Sequence, residues 1–349
     1  MFGNRKMNSQ KFIENNLYKR SLLSYLLWLV SLKYSWLLRL RRKVYQKNPK
    51  LSYRSTVTII SVGNIVSGGS GKTPFTIFLA KNLAGKGFKV AVSHRGYKGK
   101  FENENKLISN REEVHYFARD AGDEAYLLAQ KLKGIPIITG KNRRLSVRIL
   151  EKKYPDLDYI ILDDSFQHLT VKHDIDFVLF NEVGGLGNGF VLPAGILRES
   201  LFALKFADYI VWNGNGEIHK KLIETGKSII KCKYKISRFY DSNGRDVQIS
   251  KDKSYALLSG IGIPKSFEKT IYETGINFTK HFTFSDHFSY EDLRELQRIR
   301  IEMETMQLDY LITTEKDFAK LVNIQHALQI IVAEAELIVE NIEVLEMKK

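Results

Sequence analysis

The fold is decided by the stretch Ser61-Val62-Gly63-Asn64-Ile65-Val66-Ser67-Gly68-Gly69-Ser70-Gly71-Lys72-Thr73-Pro74. A β-branched run at residues 56–60 precedes this stretch, and an apolar segment with helical spacing follows it. A strand, a glycine-rich turn and a helix that opens on Lys-Thr predict a phosphate-binding loop. Glycines allow backbone N–H groups to close around phosphate oxygens, and the N-terminus of the helix adds its positive dipole end.

The residues predicted to surround the phosphates are Gly68, Gly69, Ser70, Gly71, Lys72, Thr73 and Pro74. Lys72 would reach the β- and γ-phosphates, and the Thr73 hydroxyl would ligate Mg²⁺. The general motif has a glycine five residues before Gly71, where this chain has Val66. A glycine-rich turn that binds no ligand is the structural alternative, although the Lys-Thr pair has no structural reason to follow such a turn.

The positive charge of the chain is concentrated at its N-terminus. The 349 residues carry a formal net charge of +15, and residues 1–54 contain 13 Lys/Arg and a single acid, Glu14. That segment therefore has a net charge of +12, which leaves +3 for the rest of the chain. A nucleic-acid-binding protein would spread its basic surface over the folded body, so we expect no nucleic-acid partner. The single cysteine, Cys232, excludes an internal disulfide and a Cys-rich metal site.

A helix with a wide apolar surface is predicted between Leu17 and Val44. Its polar residues fall in one narrow wedge, which consists of Ser21, Ser24, Ser31, Ser35, Arg39 and Arg42. An apolar face with aromatic residues and a cationic end is typical of a helix in the interface of an anionic leaflet. The least interrupted apolar part is about a dozen residues, shorter than the roughly 20 that a spanning helix needs. The alternatives are a helix packed on its own domain and a true membrane anchor.

Chemically active side chains follow several predicted strands at their carboxyl ends, where a doubly wound sheet binds its ligand. Arg95 follows the second strand and is placed for an anionic group, although a surface arginine at a turn is nearly as common. Asp123 and Glu124 open an apolar helix, where they would cap the helix or supply a general base or a metal-side acid. Asp163 and Asp164 end an apolar strand in the manner of a Walker B acid, which anchors Mg²⁺. Two carboxylates at that position are unfavourable without a cation.

The alternation of strand and helix signals predicts an α/β fold with a mostly parallel sheet flanked by helices. The pair Asn243-Gly244 is a hairpin signal. We therefore divide the chain into a basic N-terminal helix region at 1–50, a P-loop core at 51–235, a hairpin linker at 236–254 and a smaller α/β domain at 255–349.

Seven motifs in consistent order resemble the lipid A 4'-kinase (tetraacyldisaccharide 4'-kinase) family over nearly the whole chain. They are Val62-Gly63-Asn64 with Gly68 to Pro74, Arg95-Gly96-Tyr97, Gly122-Asp123-Glu124, Asp163-Asp164 with Phe166-Gln167-His168, Leu192-Pro193-Ala194-Gly195 with Leu197-Arg198-Glu199, Asp286-His287, and Thr313-Thr314-Glu315-Lys316-Asp317. That family is similar in lacking glycine at the position of Val66. The chain departs from the family pattern with Ser165 in place of glycine, Ile196 in place of proline and His94 in place of serine.

The resemblance implies an ATP-dependent kinase that phosphorylates the 4'-hydroxyl of a tetraacylated, 1-phosphorylated glucosamine disaccharide in lipid A biosynthesis. It also implies a peripheral location at the cytoplasmic face of the bacterial inner membrane. The N-terminal helix would give access to the lipid substrate there, and no obligate protein partner is evident.

The same resemblance implies roles for individual residues. Asp123 would accept the proton of the sugar hydroxyl, and His287 would tune or relay that proton. Lys72 would stabilise the γ-phosphoryl group, and Mg²⁺ would be held by Thr73 and Asp163 with Asp164 and Glu124 close by. Further candidates for positioning phosphate or substrate are Asn64, Arg95, Arg143, Gln167, His168 and Arg198.

Two other classes of protein are alternatives. A non-kinase P-loop ATPase or GTPase switch would share the loop, but the chain has no Asn-Lys-x-Asp guanine-reading motif and no Cys/His cluster for a metal cargo. A nucleic-acid-binding NTPase is suggested only by the net charge, and the confinement of that charge to residues 1–54 argues against it.

Overall fold

The structure is a computed structural model that describes residues 16–340, except 98, 287, 322–323 and 325–327 and the side chains of 118 and 119. The described residues form two compact units. One comprises residues 16–231 with Glu340, and the other comprises residues 232–339.

The first unit is built on a mostly parallel sheet. Its strands are β1 Thr58–Gly63, β2 Val90–His94, β3 Lys106–Ser109, β4 Ile137–Thr139, β5 Tyr159–Asp163, β6 Ile175–Asn181 and β7 Tyr209–Asn213. They lie in the order β7-β6-β1-β5-β2-β4-β3. The β3–β4 pair is antiparallel, and the other neighbouring pairs are parallel. The predicted mostly parallel α/β sheet flanked by helices is confirmed.

Among the described residues, one long helix precedes β1 and the other helices follow strands of this sheet. The helices are α1 Leu22–Lys47, α2 Lys72–Gly85, α3 Ala118–Ala121, α4 Asp123–Lys131, α5 Arg143–Lys153 and α6 Lys220–Ile223. Strands β1 and β5 have apolar side chains buried on both faces, as expected for central strands of a parallel sheet covered by helices. All three of β1, β2 and β5 end at the same edge, because they are parallel, and their carboxyl ends carry the predicted site residues.

Helix α1 begins at a capping box, in which the Ser24 N–H donates to the Ser21 hydroxyl and the Ser21 N–H donates to the Ser24 hydroxyl. The helix ends at Asn48, the residue before a proline. It therefore covers Leu22–Lys47, a few residues beyond the predicted end at Val44.

The predicted polar wedge of α1 is the side that packs on the first unit. Four of its residues are buried, namely Ser24, Ser31, Ser35 and Arg42. The apolar side is exposed: Leu22 is 80 % exposed, and Leu26, Leu29 and Trp36 are each more than 60 % exposed. Within the described residues, no helix combines the length and the apolar character required to cross a membrane.

The second unit has its own sheet and core. Its strands are β8 Ser228–Asp241, which begins in the first unit, and β9 Tyr255–Ser259, β10 Lys280–Thr283, β11 Tyr310–Thr314 and β12 Ile330–Val339. Within this unit the order is β10-β9-β11-β12-β8, and only β12 and β8 pair in antiparallel fashion among these described strands. Its helices are α7 Pro264–Tyr272, α8 Leu293–Thr305 and α9 Glu315–Leu321.

The boundary between the units differs from the predicted linker at 236–254. It falls after Lys231, inside strand β8. Residues 232–241 pair with β12, so their polar alternation belongs to a half-exposed antiparallel strand rather than to a linker. The hairpin signal at Asn243-Gly244 lies in the turn that follows β8, where Tyr240 pairs with Asp246.

Candidate active site

The glycine-rich loop connects β1 to α2 and depends on left-handed backbone at two positions. Gly68 has φ of 102° and Gly71 has φ of 88°, which L-residues with a side chain rarely adopt. Gly71 is also the residue at which α2 begins, so the free N–H groups of the first helical turn face the loop. The Ser67 N–H donates to the Ile196 carbonyl at 2.7 Å, and the Asn64 side chain donates to the Ser70 hydroxyl at 2.7 Å. The loop is thus held at both ends.

Helix α2 and strand β5 meet at the Asp163 carboxylate. The Thr73 hydroxyl donates to Asp163 Oδ2 at 3.2 Å, and the Thr76 hydroxyl donates to Oδ1 at 3.1 Å. The Asp164 N–H also donates to Oδ1, at 3.0 Å. Pro74 lies in the first turn of the helix, where its missing N–H leaves no helical hydrogen bond unmade.

Asp164 faces two cations. Its Oδ1 lies 3.6 Å from Lys72 Nζ and 3.4 Å from Arg198 Nη1. Burial by itself would raise the pKa of Asp164, but the Lys72 and Arg198 charges hold that pKa below its usual range. Asp164 has φ of 49°, a left-handed conformation that Asp tolerates better than most residues.

Asp163 is in the opposite electrostatic situation. Burial raises the pKa of its carboxyl, and the charges of Glu124 and Asp164 add to that rise, while His94 and Lys72 oppose it. A raised pKa means that the negative charge is unfavourable in this surrounding. A divalent cation that binds oxygen ligands would offset the repulsion between Asp163 and the carboxylates around it.

Within the described residues, no group of three or more His, Cys, Asp or Glu side chains could hold a metal ion by itself. Mg²⁺ bound with a nucleotide needs only one or two protein ligands, because phosphate oxygens and water supply the others. The Thr73 hydroxyl and the Asp163 carboxylate, which are in contact, have the chemistry for that arrangement.

Helix α4 brings Asp123 and Glu124 to the same edge. Glu124 Oε2 lies 3.2 Å from His94 Nε2, which is itself 3.8 Å from Asp163 Oδ2. Asp123 precedes Glu124 in the first helical turn and is half-buried. Gly122 has φ of 89°, and a Cβ there would lie 2.8 Å from the Tyr97 carbonyl, so the chain can enter the helix at this point only with glycine.

Arg143 is buried, at 1 % exposure. Its guanidinium donates to the Ser93 hydroxyl at 3.1 Å and to the Asp163 carbonyl, so it joins the ends of β2 and β5. Burial lowers the pKa of Arg143 to about 10, and the group stays charged at neutral pH. The resemblance implies that Arg143 positions phosphate or substrate charge, and that role stays a prediction. Its observed contacts are with a main-chain carbonyl and a hydroxyl.

The remaining predicted substrate residues lie around the same strand ends with different partners. The Gln167 side chain donates to the Asn64 carbonyl at 2.7 Å. Burial lowers the pKa of His168 to about 4, with the Arg143 charge adding to the effect, so this imidazole is neutral at pH 7. Arg95 Nε lies 2.8 Å from Glu102 Oε1, so its side chain is paired with a carboxylate rather than with the Asp163 cluster.

His287 lies outside the described residues, so its predicted role stays a prediction. Its neighbour Asp286 is described and accepts a hydrogen bond from Lys316 Nζ at 2.8 Å. Both of these residues belong to the second unit.

Three contacts at the site are absent from the sequence-based prediction. Thr76 binds Asp163 from one helical turn beyond Thr73, and its spacing of three residues is the signal that could have indicated it. His94 is predicted only as a departure from the family, yet it contacts Glu124. Ser165 is buried and donates to the Leu162 carbonyl at 2.8 Å, so the extra hydroxyl is satisfied within the strand end.

A parallel sheet with a glycine-rich loop after β1, Lys-Thr at the start of the next helix and an acid at the end of β5 defines a P-loop nucleotide-binding protein. The chain matches the family model of tetraacyldisaccharide-1-P 4'-kinase over residues 23–347. The chain belongs to this family.

Relatives and a solved structure agree with that membership. The chain is 34 % identical over 313 residues to the tetraacyldisaccharide 4'-kinase of Desulfotalea psychrophila, which covers 87 % of this chain and 89 % of the relative. It is 33 % identical over 329 residues to that of Pelobacter propionicus, with 92 % and 90 % covered. The crystal structure described as the "apo" form of LpxK from Aquifex aeolicus in complex with ATP has a TM-score of 0.71 and 27 % identity, and covers 93 % of this chain and 97 % of that one.

Proposed function

We propose that this chain transfers the γ-phosphoryl group of ATP to the 4'-hydroxyl of a tetraacylated glucosamine disaccharide 1-phosphate, a step of lipid A biosynthesis. The observation that carries the proposal is the contact of Thr73 with Asp163 beside the pair of Lys72 and Asp164, in a chain of this family. The ATP-bound relative supports the same nucleotide. Phosphoryl transfer requires mainly positioning and charge neutralisation, and this site is organised around charge.

The loop and the acids would bind the nucleotide with Mg²⁺. Gly68, Gly69, Ser70 and Gly71 would present their backbone N–H groups to the phosphates, and Lys72 would leave Asp164 for the γ-phosphate. Thr73 and Asp163 would hold the cation, with Asp164 and Glu124 near its water ligands. When bound, Mg²⁺ would neutralise negative charge on the phosphoryl group that is transferred. The raised pKa of Asp163, caused first by burial, supports a cation at this position.

Asp123 is the proposed base. Its carboxylate would take the proton of the 4'-hydroxyl while that oxygen bonds to the γ-phosphorus and the bond to the ADP oxygen breaks. A carboxylate with an ordinary pKa near 4 is a weak base for an alcohol, so a partner that receives or stabilises the proton is chemically useful. His287 is our proposed partner.

The other predicted residues would position the acceptor. Arg198 lies beside Asp164 and can meet a phosphate oxygen when the nucleotide draws Lys72 away. Asn64, Gln167 and His168 line the same strand ends, and Arg95 would have to exchange Glu102 for substrate charge. We infer a lesser contribution from Arg95 than from Arg198, because the Arg95–Glu102 distance of 2.8 Å is shorter than the Arg198–Asp164 distance of 3.4 Å.

We also propose that α1 lies in the cytoplasmic leaflet of the bacterial inner membrane, so that the enzyme is peripheral. The exposed side of α1 is largely apolar, with Leu22, Leu26, Leu29 and Trp36 on it and the exposed Lys33 among them. Large exposed apolar patches mark surfaces that contact a membrane or another protein, and aromatic residues favour the lipid interface. The basic charge of residues 1–54 suits anionic headgroups.

The test of the activity uses the purified full-length chain, radiolabelled ATP, Mg²⁺ and the disaccharide lipid acceptor in detergent. We expect label on the lipid at the 4' position, identified by mass spectrometry, and no transfer without acceptor. Absence of transfer under conditions in which the Desulfotalea psychrophila relative is active would contradict the proposal. ATP hydrolysis that is independent of acceptor would favour a nucleotide switch instead.

A further inference from the structure

His94 ends strand β2 and is buried at 3 % exposure. The Gly96 N–H donates to its Nδ1 at 2.9 Å. Because a backbone N–H can only donate, Nδ1 must be the acceptor and the ring proton must lie on Nε2. The contact with Gly96 therefore sets both the orientation and the tautomer of the imidazole.

The Nε2–H of His94 faces two carboxylates that come from different elements. Glu124 Oε2, in the first turn of α4, lies 3.2 Å away, and Asp163 Oδ2, at the end of β5, lies 3.8 Å away. Asp163 is already fixed by Thr73, Thr76 and its neighbouring N–H. Glu124 belongs to another element. Burial is the largest cause of the raised pKa of Asp163, and the negative charge of Glu124 raises that pKa further. A donor between them reduces this repulsion and keeps Glu124 near Asp163.

We infer that His94 is a positioning residue that orients Glu124 toward Asp163 and so sets the affinity of the nucleotide complex for its divalent cation. The inference rests on the nucleotide and cation part of the proposed function and is independent of the lipid acceptor. Groups that orient the acids around a metal without touching it commonly change metal affinity by about 10- to 100-fold.

Three substitutions separate this role from a role in packing. His94→Gln can place a side-chain N–H near the position of Nε2, so it keeps the donor to Glu124 but loses the acceptor for Gly96. His94→Asn can keep an acceptor near the position of Nδ1, but it is too short to reach Glu124. His94→Ala loses both contacts. If His94→Ala does not fold, the Gln and Asn variants still give the comparison.

The experiment measures binding of a fluorescent, non-hydrolysable ATP analogue to the full-length chain, in EDTA and at increasing Mg²⁺. The readout is the factor by which Mg²⁺ tightens nucleotide binding. We expect His94→Gln to retain that factor and His94→Asn to lose about 10-fold of it, while nucleotide affinity in EDTA changes little in either variant. Mn²⁺ binding to the same complexes, followed by electron paramagnetic resonance, should give the same order.

Three results would overturn the inference. They are an unchanged Mg²⁺ factor in His94→Asn, an equal loss in His94→Gln, and a loss of nucleotide affinity that is as large in EDTA as in Mg²⁺. The last two results would mean that His94 acts by accepting the hydrogen bond of the Gly96 N–H and not by orienting Glu124. Because no acceptor is present, failure of the lipid-kinase proposal leaves this result unaffected.

Discussion

Helices α1 and α2 of the first unit bury opposite kinds of side chain. Helix α2 buries Phe75, Leu79 and Leu83 and exposes Lys81, as a helix packed on the core of a soluble domain does. Helix α1 buries serines and Arg42 and exposes leucines and tryptophans. The apolar residues of α2 therefore stabilise the fold, whereas the exposed apolar residues of α1 are available to contact a lipid bilayer or another apolar surface. Polar contacts, together with ring contacts of Tyr25 and Trp28 to Phe190, attach α1 to the unit.

The largest expected effect comes from the first turn of α2. Lys72→Ala should reduce kcat/KM for phosphoryl transfer by about 10³-fold, since it removes the positive charge that would stabilise the γ-phosphoryl group during transfer. Lys81→Ala, on the exposed side of the same helix, is the matched control and should leave the rate unchanged. Both are measured with saturating acceptor and varied ATP. A loss of less than 10-fold for Lys72→Ala would remove this lysine from the proposed mechanism.

The next effect tests the attachment of α1. Arg42 donates through Nε to Glu199 Oε2 at 2.6 Å and through Nη2 to Glu199 Oε1 at 2.8 Å, and both side chains are buried. Its guanidinium also lies over the Phe166 ring, 4.5 Å from the centroid. Arg42→Ala leaves Glu199 as an unpaired buried charge, which should reduce the free energy of unfolding by about 3 kcal/mol.

The measurement is urea denaturation followed by circular dichroism. Arg39→Ala is the control: Arg39 donates to the Ser200 hydroxyl at 3.2 Å in a solvent-exposed hydrogen bond, and its loss should cost less than about 1 kcal/mol. Equal destabilisation by the two variants would mean that the buried pair does not hold α1 in place.

The difference between the two helices also marks what the sequence can and cannot predict. The loop, the Lys-Thr start of α2 and the acid at the end of β5 follow from local spacing, so their contact was predictable. It was predictable from spacing that the polar residues of α1 lie on one side of the helix. The partner Glu199 was not, because it lies 157 residues away and pairs with Arg42 only through the tertiary fold.

Burial explains the other differences at the site. In the sequence, Arg143 is a basic residue shortly after a predicted strand. No local pattern indicates that its guanidinium donates to the Asp163 carbonyl. The contact of His94 with Glu124 likewise forms only because the fold brings α4 to the end of β2. Such contacts are set by packing between distant segments, and a single sequence contains no direct record of them.

A third prediction concerns the outer side of α1. Leu29 is 62 % exposed, and Leu29→Ser should weaken binding to anionic phospholipid vesicles by about 30-fold, because about 2 kcal/mol of apolar burial in the leaflet is lost. Stability in water should change by less than about 0.5 kcal/mol. The control is Ile301→Ser, at a residue of α8 that is 59 % exposed, and it should not change vesicle binding. Identical co-sedimentation of both variants with vesicles would contradict the membrane role of α1.

The smallest expected effect separates two serines of the wedge. The Ser31 hydroxyl accepts a hydrogen bond from the Ala194 N–H at 3.1 Å and donates to the Leu27 carbonyl at 3.2 Å. The Ala194 N–H also donates to the Val191 carbonyl at 3.0 Å, so Ser31→Ala removes one of its two acceptors. We expect a loss of about 1 kcal/mol in the free energy of unfolding. Ser35 is also buried, but no hydrogen bond of its hydroxyl is found within the described residues. Ser35→Ala should therefore be neutral or slightly stabilising, since alanine has the higher helix propensity. If both substitutions have the same effect, small size alone explains the serines of α1, and the directional contact with Ala194 does not fix the position of the helix.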